Sequence, residues 1–284
     1  MAESDSQTSV TPAFHAASND STAAHSPFRS APASALSTTA ELCGIRYSRD
    51  SLGQFYATIC RWLSSPDRKR GLAIGYVNPY VFNLAQKNPK LRLFLREADI
   101  VAVDGLGVAL SIRLLQGYRQ TRTVMTPLFD KVLASTGIPP LKALLIGGSQ
   151  EVADKGMAAM NAAAGRMEII KAFHGYYPLE DYPVFIGDNA GADLVLVAMG
   201  SPRSEELILA ARRQFPGKTF WNIGGGTLHF YAGTQPRVPE IVSKLGLQWL
   251  WRIVHDPAIT PRYVIGIPVF AGHVLKYMLS KKKN

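Results

Sequence analysis

The sequence predicts an α/β fold, a parallel sheet flanked by crossover helices and followed by a C-terminal appendage. Three observations carry this expectation. From residue 50 onward, short aliphatic runs alternate with helical patterns, the mark of parallel strands joined by helices. Each apolar run ends in a turn bearing Gly, Pro or Asn. No internal repeat at a fixed period competes with that reading.

The elements follow in order. Ser51 to Leu63 reads as a first amphipathic helix, and Gly71 to Val77 as a strand ending at Asn78-Pro79. Tyr80 to Gln86 continues as a helix. Ile100 to Val103 is a second strand, apolar throughout and suited to burial on both faces. A helix from Leu106 to Leu115 follows. Lys142 to Ile146 is a third strand, running into Gly147-Gly148-Ser149 and a helix through Ala163. Met167 to Phe173 is a fourth, ending at His174-Gly175-Tyr176-Tyr177-Pro178. Asp193 to Ala198 is a fifth, followed by Met199-Gly200-Ser201-Pro202 and a helix to Gln214. Thr219 to Ile223 is a sixth, ending in Gly224-Gly225-Gly226.

Residues 1–40 are rich in Ser, Thr, Ala and Pro and lack any helical or strand period. They cannot bury enough apolar surface to offset the entropy of ordering, and are expected to be disordered. They also lack the continuous apolar stretch of a signal peptide. The remainder, about 240 residues, is long enough for one large α/β core, 41–235, and an appendage, 236–284.

The net charge is +10. Basic residues gather at Arg61/Arg68/Lys69/Arg70, Arg113/Arg119/Arg122, Arg203/Arg212/Arg213, Lys276 and Lys281-Lys282-Lys283. Phosphorylated substrates, anionic membrane and nucleic acid all suit such a surface. No zinc-finger spacing, RNP-type aromatic pattern or heptad array points to nucleic acid, which is not expected as a partner. Cys43 and Cys60 give neither a disulfide framework nor a metal spacing, and suit a reducing cytoplasm. No uninterrupted apolar run reaches the roughly eighteen residues of a membrane span. Tyr263 to Leu279, apolar with a basic flank, reads as a helix lying on a membrane or docked on the domain.

Ligands bind such sheets at the carboxyl ends of their strands. Asp104 stands there, after Ile100–Val103 and before Gly105-Leu106-Gly107, where backbone can approach a ligand closely. Two readings are open: a base or ligand anchor, or a cap on the following helix. The glycine turns at Gly147-Gly148 and Gly224–Gly226 can offer backbone N–H groups to phosphate, but neither fits G-x-G-x-x-G or the P-loop.

Taken together, the turns resemble the WecG/TagA/CpsF family of bacterial glycosyltransferases (glycosyltransferase family 26), from about Leu42 to Phe270 in the expected order. Asn78 stands where that family has its Asn after the first strand. Asp104-Gly105-Leu106-Gly107 matches Asp-Gly-x-Gly, and Arg122 lies where an active-site arginine is expected. Leu145-Ile146-Gly147-Gly148 and His174-Gly175-Tyr176 match two further signatures. Gly200-Ser201-Pro202-Arg203-Ser204-Glu205 resembles Gly-x-Pro-Lys/Arg-Gln-Glu. Gly224-Gly225 and Arg237-Val238-Pro239 match late segments, and Leu247-Gln248-Trp249-Leu250-Trp251-Arg252 with Arg262-Tyr263 resembles the C-terminal appendage.

The resemblance implies a Rossmann-like core whose appendage closes the site and touches the membrane. It also implies a metal-independent, inverting transfer of a hexose-type sugar from a UDP-sugar to a polyprenyl-diphosphate-linked saccharide. The sugar would be N-acetylmannosamine, its uronic acid or glucose, and the UDP-sugar is substrate, so no cofactor is expected. An inverting transfer needs a base for the acceptor hydroxyl, for which Asp104 is the candidate. Arg122, Arg237, Arg252 and Arg262 would steady charge growing on the leaving phosphate. Asn78, Gly105, Gly147, Gly148, Gly200, Pro202, Ser204, Glu205, Gly224 and Gly225 would bind substrate.

The resemblance further implies exopolysaccharide or cell-wall polymer synthesis, peripherally on the cytoplasmic face of the inner membrane, with a homo-oligomer common in the family. The sequence departs from the pattern at Ser204, Met125, Pro127, Gln248 and Ile259, which implies altered sugar specificity before loss of activity. The rival reading is a catalytically inactive UDP-binding scaffold subunit.

Overall fold

The computed structural model describes residues 37–65 and 70–281. Residues 1–36 of the segment expected to be disordered, Arg68 and Lys69, and Lys282-Lys283 of the basic tail lie outside the described residues.

The first described element corrects the boundary drawn at residue 40. Strands β1 (Thr39–Leu42) and β2 (Ile45–Ser48) form an antiparallel hairpin. Its turn residues, Cys43 and Gly44, both have positive φ, 51° and 74°, the backbone that lets a two-residue turn follow the strand twist. A cysteine in the left-handed region is uncommon, which is why the turn escapes a search for Asn-Gly pairs.

Helix α1 (Leu52–Leu63) starts at a capping box in which Ser51 accepts from the Gln54 N–H. Then come β3 (Ala73–Val77), α2 (Pro79–Ala85), α3 (Pro89–Glu97), β4 (Ile100–Val103), α4 (Leu106–Gln116) and α5 (Met125–Leu133). They are followed by β5 (Leu141–Gly147), α6 (Gln150–Ala163), β6 (Met167–Phe173), α7 (Tyr182–Asp188), β7 (Leu194–Ala198), α8 (Arg203–Gln214), β8 (Thr219–Asn222) and α9 (Gly225–Tyr231). The departures Met125 and Pro127 fall in the first turn of α5, where the missing N–H of Pro127 breaks no helical bond. Helices α3 and α7 were not foreseen.

Six strands form one parallel sheet in the order β4-β3-β8-β7-β5-β6. Strands β3, β4, β7 and β8 are buried along their whole length, as their unbroken apolar runs require. The chain passes from β3 outward to β4, then crosses to β5 on the other side. That reversal places a topological switch between the two halves, where ligands bind in such sheets. The turns after β3, β4, β7 and β8 carry Asn78, Asp104, Gly200 and Gly224.

The opposite end of the sheet is pinned by charge. Asp99 is buried and accepts from Arg212 at 2.6 Å and from the Ala73 N–H at 2.8 Å, with Arg70 as a second ion pair. A buried carboxylate so fully paired is structural, and it takes Arg70 and Arg212 out of the pool of surface cations.

The appendage consists of α10 (Glu240–Lys244), α11 (Gln248–His255), a 3₁₀ turn at Pro257–Ile259, α12 (Thr260–Val264) and α13 (Gly266–Lys281). Helix α13 docks on α2: Phe270 meets Phe82 edge to face with ring centroids 5.0 Å apart. Val274 is also buried, and Asn83 donates to the Gly266 carbonyl at 2.7 Å. The run Pro257–Ser280 is long and apolar enough to cross a membrane by length and composition, and most of it is exposed.

Candidate active site

Asp104 does not cap α4. The N-cap position is Gly105, with a φ of 130°, and no side chain caps that helix end. A Cβ at Gly105 would also lie 3.2 Å from Pro79 Cδ, so this turn needs glycine on two counts. The Asp104 main chain is tied to the sheet through its N–H to the Val77 carbonyl at 2.9 Å. Its carboxylate projects toward the cleft, where it accepts from the Met125 N–H at the start of α5.

Burial raises the proton affinity of Asp104. The guanidinium groups of Arg252, Arg122 and Arg262 and the Met125 N–H oppose that rise without cancelling it. Burial also works against the charge on Arg252, but Tyr263 and Asp104 beside it outweigh that and hold it firmly protonated. The structure thus gathers one carboxylate from the core and three arginines, two of them carried by the appendage.

Each arginine is held differently. Arg122 donates to the Ser243 carbonyl, stitching the core to α10. Arg252 rises from α11 over α9, so that a Cβ at Gly226 would lie 2.9 Å from its Nη2. Arg262 lies over the Tyr80 ring, 3.6 Å from the centroid, a cation–π contact. Arg237 stands apart: it pairs with Asp130 on α5 and lies 4.4 Å from the centroid of Phe230. Tyr231 supplies a second hydrogen bond to Asp130 at 2.7 Å.

Glu205 lies at the root of the same cleft and is fully buried. Its Oε1 accepts from Ser201 at 2.6 Å and from Asn222 at 3.0 Å, while Oε2 has no partner. Burial pushes its pKa up to about 7 against these hydrogen bonds. Ser204, where the resemblance expects Gln, is also fully buried and accepts from the Met199 N–H at 3.1 Å. It braces the turn after β7. Tyr76, near the end of β3, joins the group: burial, then the charges of Glu205 and Asp104, raise its pKa, and Arg262 and Arg252 work the other way.

Other predicted residues have local structural work. Asn78 caps α2, accepting from the Val81 N–H at 2.9 Å. Gly147 lies against β7, where a Cβ would come within 2.6 Å of the Ala198 carbonyl oxygen. Gly148, with φ of 61°, accepts from the Gly175 N–H and closes the turn after β5. Gly224 faces the Tyr76 hydroxyl, Gly225 opens α9, Gly200 has positive φ, and Pro202 precedes α8.

A cavity of about 490 Å³ lies between α5, α9 and the appendage. Arg237, Arg252, Gln248, Trp251, Thr126 and Ile259 are among its lining residues, so three of the departures from the pattern (Pro127, Gln248 and Ile259) fall in this wall. Asp104 is not in the lining; Arg252 is the side chain that connects the two. Trp251 Nε1 and Arg262 Nε are buried with no hydrogen-bond partner, polar groups that a ligand would satisfy. Among the described residues no group of three or more His, Cys, Asp or Glu is placed to hold a metal ion.

Sequence reasoning missed Tyr76, Tyr263 and the Met125 N–H. A hydroxyl-bearing ring in the otherwise aliphatic run Ala73–Val77, two residues before Asn78, was the available signal for the first.

The sequence has a curated relative and a family match. A protein from Staphylococcus aureus (strain MRSA252), named N-acetylglucosaminyldiphosphoundecaprenol N-acetyl-beta-D-mannosaminyltransferase, is 26% identical over 244 residues. That alignment covers 86% of this chain and 94% of the relative. The profile described as the glycosyl transferase WecG/TagA/CpsF family matches residues 40–284. With a match over nearly all of the described chain, and an α/β sheet whose turns carry the expected residues in order, the protein belongs to the WecG/TagA/CpsF family of glycosyltransferases.

Proposed function

We propose that the protein is an inverting glycosyltransferase that moves N-acetylmannosamine, or a closely related hexose, from its UDP derivative to a polyprenyl-diphosphate-linked saccharide. The observation that carries this reading is the Asp104 carboxylate, raised in proton affinity and facing Arg252, Arg122 and Arg262 at the carboxyl edge of the sheet. The name of the staphylococcal relative supports both the sugar and the kind of acceptor.

In the proposed step, an acceptor hydroxyl attacks the anomeric carbon from the face opposite the UDP. The new C–O bond forms as the bond to the β-phosphate oxygen breaks, and the hydroxyl proton passes to Asp104. A base works best when its pKa approaches the working pH, which burial of Asp104 favours. Charge grows on the departing phosphate, where Arg252 and Arg262 stabilise the transition state more than the ground state. Arginine supplies that cationic charge in a planar fork matched to phosphate oxygens, which supports a reaction without a metal.

The place of action is proposed to be the cytoplasmic face of a bacterial inner membrane, with the protein lying on the bilayer. Exposed Trp249, Leu250, Ile265, Leu275 and Leu279 support contact with lipid. Phe270, Val274 and Arg262 commit the other side of the same run to the core, which favours lying on the membrane over crossing it.

The test is transfer from UDP-N-acetylmannosamine to N-acetylglucosaminyl diphosphoundecaprenol by the wild type and by Asp104→Asn. Product from the wild type and about 10²–10⁴-fold less from the variant, with UDP binding retained by both, is the expected result. UDP binding with no turnover by the wild type on any acceptor would establish the scaffold reading instead.

A further inference from the structure

Helix α4 carries apolar side chains on both faces, with Arg113 as an exposed cation on the outer one. Val108, Ala109 and Ile112 are buried against the domain, while Leu106, Leu110 and Leu114 are 43%, 53% and 68% exposed. Their four-residue spacing sets them in one row about 12 Å long. An exposed apolar row on a helix whose other face is already packed belongs against a further apolar surface or hydrocarbon. Leu106–Gln116 is far too short to cross a bilayer, which takes about 20 residues.

The row has a direction. It starts at Leu106, two residues beyond Asp104, and leads away from the cleft. At its origin an apolar group and a cation share one wall: a Cβ at Gly246 would lie 2.8 Å from Leu106 Cδ2 and 3.4 Å from Arg122 Nη1. Carboxylate and guanidinium therefore meet where the row begins, and its hydrocarbon continues outward through Leu110 and Leu114. A saccharide joined through a diphosphate to an isoprenoid chain presents hydroxyl, phosphate and hydrocarbon in that same order.

We propose that the outer face of α4 is a binding track for the isoprenoid chain of the acceptor, with its diphosphate beside Arg122 and its reacting hydroxyl at Asp104. The inference rests on the proposed function and adds to it where the lipid runs. Helix α13, whose exposed Ile267, Val269, Leu275 and Leu279 are assigned to the bilayer, packs beside α4, where Phe270 faces Gly107.

The test uses the full chain carrying Leu110→Gln with Leu114→Gln, and a second variant with Leu114→Gln alone, since that side chain is the most exposed of the row. UDP-N-acetylmannosamine is the donor. The acceptors are N-acetylglucosaminyl diphosphoundecaprenol in detergent micelles and the same diphosphosugar on a butyl chain. The ratio of kcat/KM for the long chain to that for the short chain is expected to fall about tenfold in the double variant and about threefold in the single one. An unchanged ratio overturns the track. So does a lowered ratio with equal loss of binding to acceptor-free vesicles, which assigns the row to the bilayer, or a change in sedimenting mass, which assigns it to a second copy. Wild-type transfer with no preference for chain length sinks the track alone, whereas no transfer to either acceptor sinks the proposed function with it.

Discussion

Asp104 and Glu205 are two carboxyl groups in one cleft whose surroundings prepare them differently. Asp104 must be ionised to accept a proton, so kcat/KM is expected to rise with pH along a limb set above the ordinary carboxylate range. Asp104→Asn should lower kcat by about 10²–10⁴-fold with the melting temperature kept. Arg252→Gln removes a charge that restrains the pKa of Asp104, so this variant should lose kcat and also move the acidic limb to higher pH. A loss of kcat with the limb unmoved would separate Arg252 from the carboxylate. Glu205 takes hydrogen bonds from Ser201 and Asn222, and burial pushes its pKa from 4.5 to about 7. The folded state holds its proton more tightly than the unfolded chain does. Its contribution to stability is therefore complete below pH 4.5 and lost as pH rises through about 7, a loss of roughly 3 kcal/mol. Glu205→Gln should flatten that dependence, as urea titrations at pH 5.5 and 8 would read out.

At the scale of elements, α9 and α11 meet through one contact that can be tuned. Gly226→Ala would place a methyl 2.9 Å from the end of the Arg252 side chain. The guanidinium can swing aside, so the variant should melt close to wild type yet turn over at least several-fold more slowly, a split that steady-state kinetics and calorimetry measure together. Sequence reasoning reaches these elements unevenly, for physical reasons. Strand β4 matched the expected bounds because burial on both faces and clear turn residues isolate it, and the edge strand β6 because its flanking turn residues do. The hairpin of β1 and β2 escaped because its turn uses Cys43 at positive φ. Helix α3 was hidden by its charged residues, although Leu91, Phe94 and Leu95 give it a buried face. In the candidate site, Asp104 was legible from its place after a strand. The meeting of Arg252 and Arg262 with it was legible only through the family resemblance, since more than 140 residues separate them from Asp104 and no local pattern links them.

For the whole molecule, a charge of +10 and the exposed apolar side chains of the appendage act on one partner surface. Binding to vesicles containing anionic lipid should weaken as salt is raised, because charge attraction is screened. A salt-resistant remainder should persist through apolar contact. Co-sedimentation across a salt series tests this, and salt-independent binding would remove the electrostatic half of the account. The contact between Phe270 and Phe82 has a consequence for how the cleft admits two bulky substrates. Helix α13 is fastened by buried side chains, whereas α10, α11 and α12 bury none. The roof over Asp104 is thus fastened by buried packing along one margin and only by polar contacts such as Arg122 to Ser243 along the other, so that amides of α10 and α11 should exchange hydrogen earlier than those around Phe270, and UDP should slow the first set most.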